Sequence, residues 1–198
     1  MASVALKIVI ATDAWKPQIN GVVTTLSHVE GYLRAQGSEV RVIHPGDFHT
    51  FALPNYKEIC VAWNVWKFAE IFESFKPDCV HIATEGPIGL AARRYLTKRG
   101  LPFTTSLHTK FPEYVNQRIG MPVSWGYAFL RWFHEPSKAT LVTTESMRDE
   151  LTARGLKNLV VWTRGVDTQL FCPEQGDKSR EGSSQPVMVY VGRVAIEK

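Results

Sequence analysis

Apolar and polar positions fall into blocks along this chain, and the blocks change period. Short β-branched or apolar runs recur at Lys7 to Ala11, Glu39 to His44, Cys79 to Ala83, Phe103 to Leu107, Leu141 to Thr143 and Leu159 to Trp162, largely bounded by Gly, Pro or polar residues. Each predicts a buried strand. Between them the apolar period lengthens to that of a helix. Val22 to Gln36 puts Val22, Leu26, Val29 and Leu33 on one face and stops at Gly37. Asn64 to Phe75 stops before Pro77, and Ile88 to Arg99 stops at Gly100. Met147 to Arg154 opens on a capping box, Ser146 with Asp149, and stops at Gly155. This alternation predicts an α/β fold, a Rossmann-like doubly wound parallel sheet with helices on both faces.

The periodicity fails after Cys172. Residues 173–186 are rich in Pro, Gly, Ser and charge and read as a linker. Beyond them "VMVYVGR" is a new buried strand running into a glycine turn. Residues 1–172 are therefore expected to form the first domain, and 187–198 the first strand and turn of a second α/β domain that is cut off.

Composition narrows the class without choosing a ligand. With 198 residues, 44% of them hydrophobic, the chain can bury a substantial core. A formal charge of +4 suits anionic small molecules, a membrane surface or nucleic acid, but a basic stripe and a recognition motif for nucleic acid are both missing. Cys60, Cys79 and Cys172 are widely separated, without C-x-x-C or zinc spacing, and read as reduced residues of a cytosolic protein. The apolar run in Met1 to Ala14 is too short for a secretory signal, and none approaches the roughly 20 residues of a membrane span.

Ligands of open parallel sheets bind beyond the carboxyl ends of the strands, so the residues after each run carry the candidate chemistry. After the first strand, Gly21 opens a helix where backbone N–H groups and the positive helix end can meet a phosphate; relief of a tight turn explains it equally well. After the third, Glu85 either accepts from a hydroxyl-rich ligand or favours the next helix N-terminus. His108 closes the fourth strand in a polar loop, where an imidazole can exchange hydrogen bonds with a sugar or acyl oxygen, and a buried structural histidine is the alternative. His44 and His49 lack a carboxylate partner and helical spacing, so no metal site is expected there. Arg164 and Asp167 follow the sixth strand and either hold a phosphate or pair locally; Arg193 and Lys198 follow the last strand and are either a phosphate clamp or solvated charges. The segment 118–138 gathers Trp125, Tyr127, Phe129, Leu130, Trp132 and Phe133 with Arg118, Arg131 and Lys138. It reads as a core helix with a wet edge, and a membrane-interface helix is the alternative.

Taken in order, "PQINGVV", "TEGPIGLAAR", "HTKFPEY", "RGVD" and "YVGRVAIEK" resemble the retaining glycosyltransferases of GT-B architecture, family 4 type. The nearest likeness is to the branch holding bacterial GDP-mannose-dependent α-mannosyltransferases, phosphatidylinositol mannosyltransferases among them, and the sulfolipid synthases. The resemblance covers nearly the whole chain and implies that it is the N-terminal, acceptor-side half of such an enzyme. It implies a hexosyl transfer, mannosyl first, from GDP-mannose or a UDP-sugar to a lipid, polyol or saccharide hydroxyl. No cofactor or metal is implied, and no D-x-D occurs. By the same resemblance Asn20, Gly21 and Val22 face the donor diphosphate, and His108 meets the sugar near its anomeric centre. Arg193 and Lys198 neutralise the leaving nucleoside diphosphate. Trp15, Gln18, Glu85, Thr109, Arg131 and Arg164 are assigned to the acceptor side. A cytoplasmic protein with peripheral contact to the inner face of the membrane is expected. The acidic E-x7-E motif of the family's second domain does not follow Lys198, so the isolated chain is expected to turn over little substrate. The rival readings are a non-catalytic Rossmann-like ligand-binding module, a GT-B sugar-nucleotide epimerase, and a glycosidase, for which Glu85 and Glu113 are the nominated carboxylates.

Overall fold

The computed structural model describes residues 5–53, 56–108, 112–113, 115–116, 120–169, 172 and 188–189. The chain divides into two compact units, Met1–Thr163 and Arg164–Lys198. The first unit is built on a six-stranded sheet in the order β2-β1-β5-β6-β7-β8, every pairing in it parallel. Its strands are β1 (Lys7–Ala11), β2 (Glu39–Ile43), β5 (Cys79–Ile82), β6 (Thr104–Leu107), β7 (Ala139–Val142) and β8 (Leu159–Val161). All six expected strands are present, with ends shifted by at most two residues.

The helices α1 (Gly21–Ala35), α2 (Phe68–Phe75), α3 (Pro87–Arg99), α4 (Val123–His134) and α5 (Glu145–Ala153) connect them. From β1 the chain steps to β2 in one direction, and from β5 it steps on to β6, β7 and β8 in the other. Right-handed crossovers then require α1 on one face and the later helices on the opposite face. The core divides accordingly. Ile10, Val40, Val42 and Trp15 pack with Leu26 of α1. Val9, Ile43, Val80 and Ile82 pack with Phe72, Ile88, Leu96 and Phe133, and Leu107 and Val142 pack with Leu130 and Leu151.

Three departures from expectation have local causes. A two-stranded antiparallel hairpin, β3 (Thr50–Leu53) with β4 (Tyr56–Ala62), fills the interval after β2, a stretch without a periodic signal. The segment expected as one helix from Asn64 begins as a 3-10 turn, Val65–Lys67, before α2, and α2 ends where Lys76 takes the left-handed conformation (φ 53°) ahead of Pro77. Finally, α5 is capped by Thr144, whose hydroxyl accepts from Met147 N–H at 3.1 Å, and not by Ser146, which lies inside the helix. Glycine stops hold elsewhere: Gly37, Gly100 and Gly155 have φ of +88°, +64° and +84°.

Among the described residues three arginines stitch separate elements through backbone carbonyls: Arg34 reaches Val40 O, Arg93 reaches Trp132 O and Phe133 O at the end of α4, and Arg131 reaches Arg154 O, while Arg41 reaches Val42 O within its own strand. The helix read as aromatic and basic is α4; it buries Tyr127, Leu130 and Phe133 and turns Trp125 and Trp132 outward. The Arg93 guanidinium lies 3.8 Å from the centre of the Trp132 ring. Among the described residues no helix is long and apolar enough to cross a membrane.

Candidate active site

The direction of the chain reverses between β1 and β5, and in a sheet of this kind that reversal opens a crevice at the carboxyl ends of the two strands. Two loops border it: residues 12–20 after β1, and 83–86 after β5. Asp13 joins them. Its carboxylate accepts from Thr84 Oγ1 and Ile88 N–H at 2.8 Å each and from Gly89 N–H at 3.3 Å, while its own N–H donates to Thr84 Oγ1 at 2.7 Å. Gly86, at the N-cap position of α3, has no side chain to cap it, and Asp13 supplies the capping carboxylate from across the crevice. Burial pushes its pKa up; the bonds from Ile88, Thr84 and Gly89 oppose that, and the Glu85 charge adds to it. The fit leaves no room for side chains: a Cβ on Gly86 would lie 2.4 Å from Asp13 Cγ, and one on Gly89 1.9 Å from Thr84 O.

The first turn of α1 is closed differently. Asn20 Oδ1 accepts from Val22 N–H and Val23 N–H, each at 3.0 Å, and Asn20 Nδ2 donates to Gln18 Oε1 at 3.2 Å. Gln18 N–H in turn donates to Trp15 O at 3.1 Å. The Val22 N–H expected to face a phosphate therefore carries a neutral carboxamide cap here. Gly21 is exposed at the helix mouth with a φ outside the left-handed range, so backbone conformation does not demand glycine there. Trp15 and Gln18, expected to line the acceptor side, are buried to 8% and 9% residual exposure, with Trp15 inside the α1 core cluster and its ring centre 6.0 Å from that of His44.

Glu85 does not cap α3, since Asp13 does. Its Oε1 instead lies 3.4 Å from Nε2 of the buried His134, whose Nδ1 meets Thr105 Oγ1 at 2.9 Å. Thr105 continues through Thr140 to Ser137 in hydroxyl contacts of 3.0 Å. Glu113, the other nominated acid, accepts from Tyr127 Oη at 2.6 Å and faces Arg154 at 3.7 Å. Each carboxylate is thereby engaged with its own structural partner. Burial, reinforced by the bond to Glu113, pushes the Tyr127 hydroxyl well above its ordinary range.

His108 stands at the end of β6, as expected. Its Nε2 is 2.8 Å from Ser106 Oγ, and the Trp162 ring, just past β8, stands edge-on with centres 6.4 Å apart. Behind Ser106 lies His81 of β5, with Nε2 3.1 Å from Ser106 Oγ and Nδ1 2.9 Å from Thr104 Oγ1. Burial first, then the charge of His108, lowers the His81 pKa to about 4.

Arg131 donates to the carbonyl of Arg154 at 3.1 Å, at the C-terminal end of α5. Arg164 opens the second compact unit and is exposed. Thr109, Arg193 and Lys198 lie outside the described residues. Among the described residues no group of three or more His, Cys, Asp and Glu is placed to hold a metal ion.

The model of Glycosyltransferase Family 4 matches residues 19–170. The chain belongs to that family. Its match takes in Asn20, Gly21, Val22, Glu85, His108 and Arg164, and leaves Trp15, Gln18, Arg193 and Lys198 outside. A GDP-mannose-dependent alpha-mannosyltransferase of Mycobacterium tuberculosis is 25% identical over 218 residues, covering 98% of this chain and 57% of that protein. The protein of the same name from Corynebacterium glutamicum is 23% identical, covering 98% of this chain and 52% of its own. The alpha-monoglucosyldiacylglycerol synthase of Acholeplasma laidlawii is 30% identical over 129 residues, covering 56% of this chain and 32% of its own. A solved alpha-glucosyltransferase, in complex with UDP-glucose and DNA containing an abasic site, superposes with a TM-score of 0.52 at 11% identity, covering 88% of this chain and 47% of that one. That likeness concerns the fold. This family 4 chain spans about half the length of the mannosyltransferases it matches.

Asp13, Thr84, His81 and Ser106 were missed in the sequence. Alternation along β6 (Thr104, Ser106, His108) was the one available signal, because residues two apart share a face of a strand.

Proposed function

We propose that this family 4 chain is the acceptor-side half of a retaining glycosyltransferase of GT-B architecture. It moves a hexosyl group, mannosyl first, from a nucleoside diphosphate sugar to a lipid, polyol or saccharide hydroxyl without a required metal. The observation that carries the reading is the 25% identity to a GDP-mannose-dependent alpha-mannosyltransferase across 98% of the chain. In this reading residues 1–172 form the acceptor-side domain, 173–186 the linker, and 187–198 the start of the nucleotide-sugar domain.

The chemistry follows from where charge develops. Cleavage of a sugar–phosphate bond through an oxocarbenium-like state leaves negative charge on the departing diphosphate, and donors aimed at that charge lower the barrier more than a strong base would. Arg193 and Lys198 supply cations to the leaving group, and His108, anchored through Nε2, meets the sugar. Gly21 offers a mouth without a side chain at the positive end of α1. The α3 end is unsuited to that task, because the group on its Ile88 and Gly89 N–H groups is the Asp13 carboxylate, which repels a phosphate, whereas the cap on α1 is the neutral Asn20 carboxamide. The lipid arm of this reading carries peripheral contact with the cytoplasmic face of the membrane.

The test uses the chain together with the sequence that continues it beyond Lys198, offered GDP-mannose, UDP-glucose and ADP-glucose with lipid and soluble polyol acceptors, with and without EDTA. Transfer from GDP-mannose that survives EDTA and falls by about 100-fold or more in His108→Ala and Arg193→Ala is expected. Undiminished transfer in both variants overturns the assigned roles, and loss of transfer in EDTA overturns metal independence.

A further inference from the structure

On the α1 face of the sheet, the strip beyond β1 is polar where β5 meets β6. The parallel register sets His81 against Thr104, and alternation carries the same face through Ser106 to His108. Contacts of 2.9, 3.1 and 2.8 Å then run unbroken from Thr104 Oγ1 to His81, from His81 Nε2 to Ser106 Oγ, and from Ser106 Oγ to His108 Nε2. Ser106 is buried and stands between two imidazole nitrogens with a single hydroxyl hydrogen to give. If that hydrogen points to His108 Nε2, the oxygen must accept from His81, so His81 carries a proton on Nε2. If it points to His81, the proton sits on His108 Nε2 instead. A third acceptor, Ala83 O, lies farther off at 3.4 Å, and a hydrogen given to it would leave both rings donating; the shorter contacts at 2.8 and 3.1 Å favour the first two arrangements.

We propose that Ser106 and His81 are positioning residues for His108: a hydroxyl-bridged wire that holds the His108 ring at the strand end and keeps the two imidazoles in opposite Nε2 protonation states. The proposal deepens the reading of His108 as the residue that meets the donor sugar, and rests on that reading for its catalytic meaning. With its pKa lowered to about 4, His81 stays neutral through the ordinary pH range, so the wire fixes hydrogen-bond polarity without storing charge. A side chain that must present one chosen nitrogen to a sugar oxygen gains from such a support, because a wrong tautomer offers a donor where an acceptor is needed.

The spectroscopic test uses the 198-residue chain at pH 7.5 with nitrogen-15 resolved imidazole spectra. One ring is expected to show a protonated Nε2 and the other an unprotonated Nε2. Ser106→Ala is expected to move the His108 nitrogens to tautomer-averaged positions, and Ser106→Thr, which keeps the hydroxyl, to restore them. The same Nε2 state in both rings, or His108 signals unchanged in Ser106→Ala with a native amide fingerprint, overturns the wire. In the protein continued beyond Lys198, Ser106→Ala is expected to lower kcat about tenfold with KM for the donor little changed, and Ser106→Thr to recover it. Opposite Nε2 states combined with full transfer by His108→Ala would uphold the wire and overturn the catalytic reading of His108.

Discussion

Replacing His81 by Gln should flatten the acid sensitivity of the first unit. The folded protein holds His81 neutral down to about 4, whereas an unfolded histidine takes up its proton near 6.5. Between those values the unfolded state binds a proton that the folded state refuses. Stability is therefore fully present above pH 6.5 and declines as the pH falls towards 4. At about 1.4 kcal/mol per pH unit the full span is worth about 3 kcal/mol, of which about 2 kcal/mol is lost between pH 7 and pH 4.5. Glutamine has no proton to gain and can still reach Ser106. Urea unfolding followed by tryptophan fluorescence at pH 7 and pH 4.5 measures the difference. The wild-type chain should lose about 2 kcal/mol more than His81→Gln over that interval, whatever the variant costs at pH 7. Equal losses in the two proteins, or an His81 ring that titrates near 6.5, would refute the argument that burial between β5 and β6 excludes the charged form.

Three further outcomes follow from the crevice and the helix ends. Gly89→Ala drives a Cβ against the backbone oxygen of Thr84, which cannot rotate away, and should cost about 3 kcal/mol in urea unfolding; Gly31→Ala, with open space around it in α1, should stabilise by about 0.5 kcal/mol. Asp13→Ala strips the cap from α3 and should lower stability by about 3 kcal/mol, with Asn recovering part of it. Faster hydrogen exchange at the Ile88 and Gly89 amides would report the same loss locally, and unchanged protection there would disprove the cap. Arg93→Lys keeps the charge but cannot span both carbonyls and the Trp132 ring, so thermal unfolding should show a loss of about 1 to 2 kcal/mol.

The sheet was legible because each strand is a short apolar run with its own stop signals. The glycines after α1, α3 and α5 marked helix ends because those positions need a positive φ. The hairpin was not legible: its second strand, Tyr56–Ala62, mixes charged and apolar residues, and no Asn-Gly or Asp-Gly turn marks the join. The α5 cap was misplaced by two residues because Ser146 and Asp149 carry a capping-box spacing that Thr144 forestalls. At the site, His108 could be found from its place after a strand. Its support could not, since His81 reaches Ser106 only through a pairing register that the sequence does not state. Asp13 shows the same limit, as its partners lie 71 to 76 residues away along the chain. The bond from Arg131 to Arg154 O, 23 residues on, was hidden in the same way, because nothing in the sequence of an aromatic helix says which of its arginines reaches a neighbouring helix end.

The arginines that hold carbonyls keep their charge while they do so. A carbonyl is a dipole with no net charge, so the guanidinium seated on it stays fully positive, while the hydrogen bond itself acts over a few ångströms, well within the Debye length of about 8 Å at physiological salt. These stitches should therefore outlast the exposed ion pairs when salt is added. An incoming anion still meets the charges of Arg93 and Arg131, so side chains that hold the fold together also belong to the formal charge of +4 that draws a ligand in from a distance.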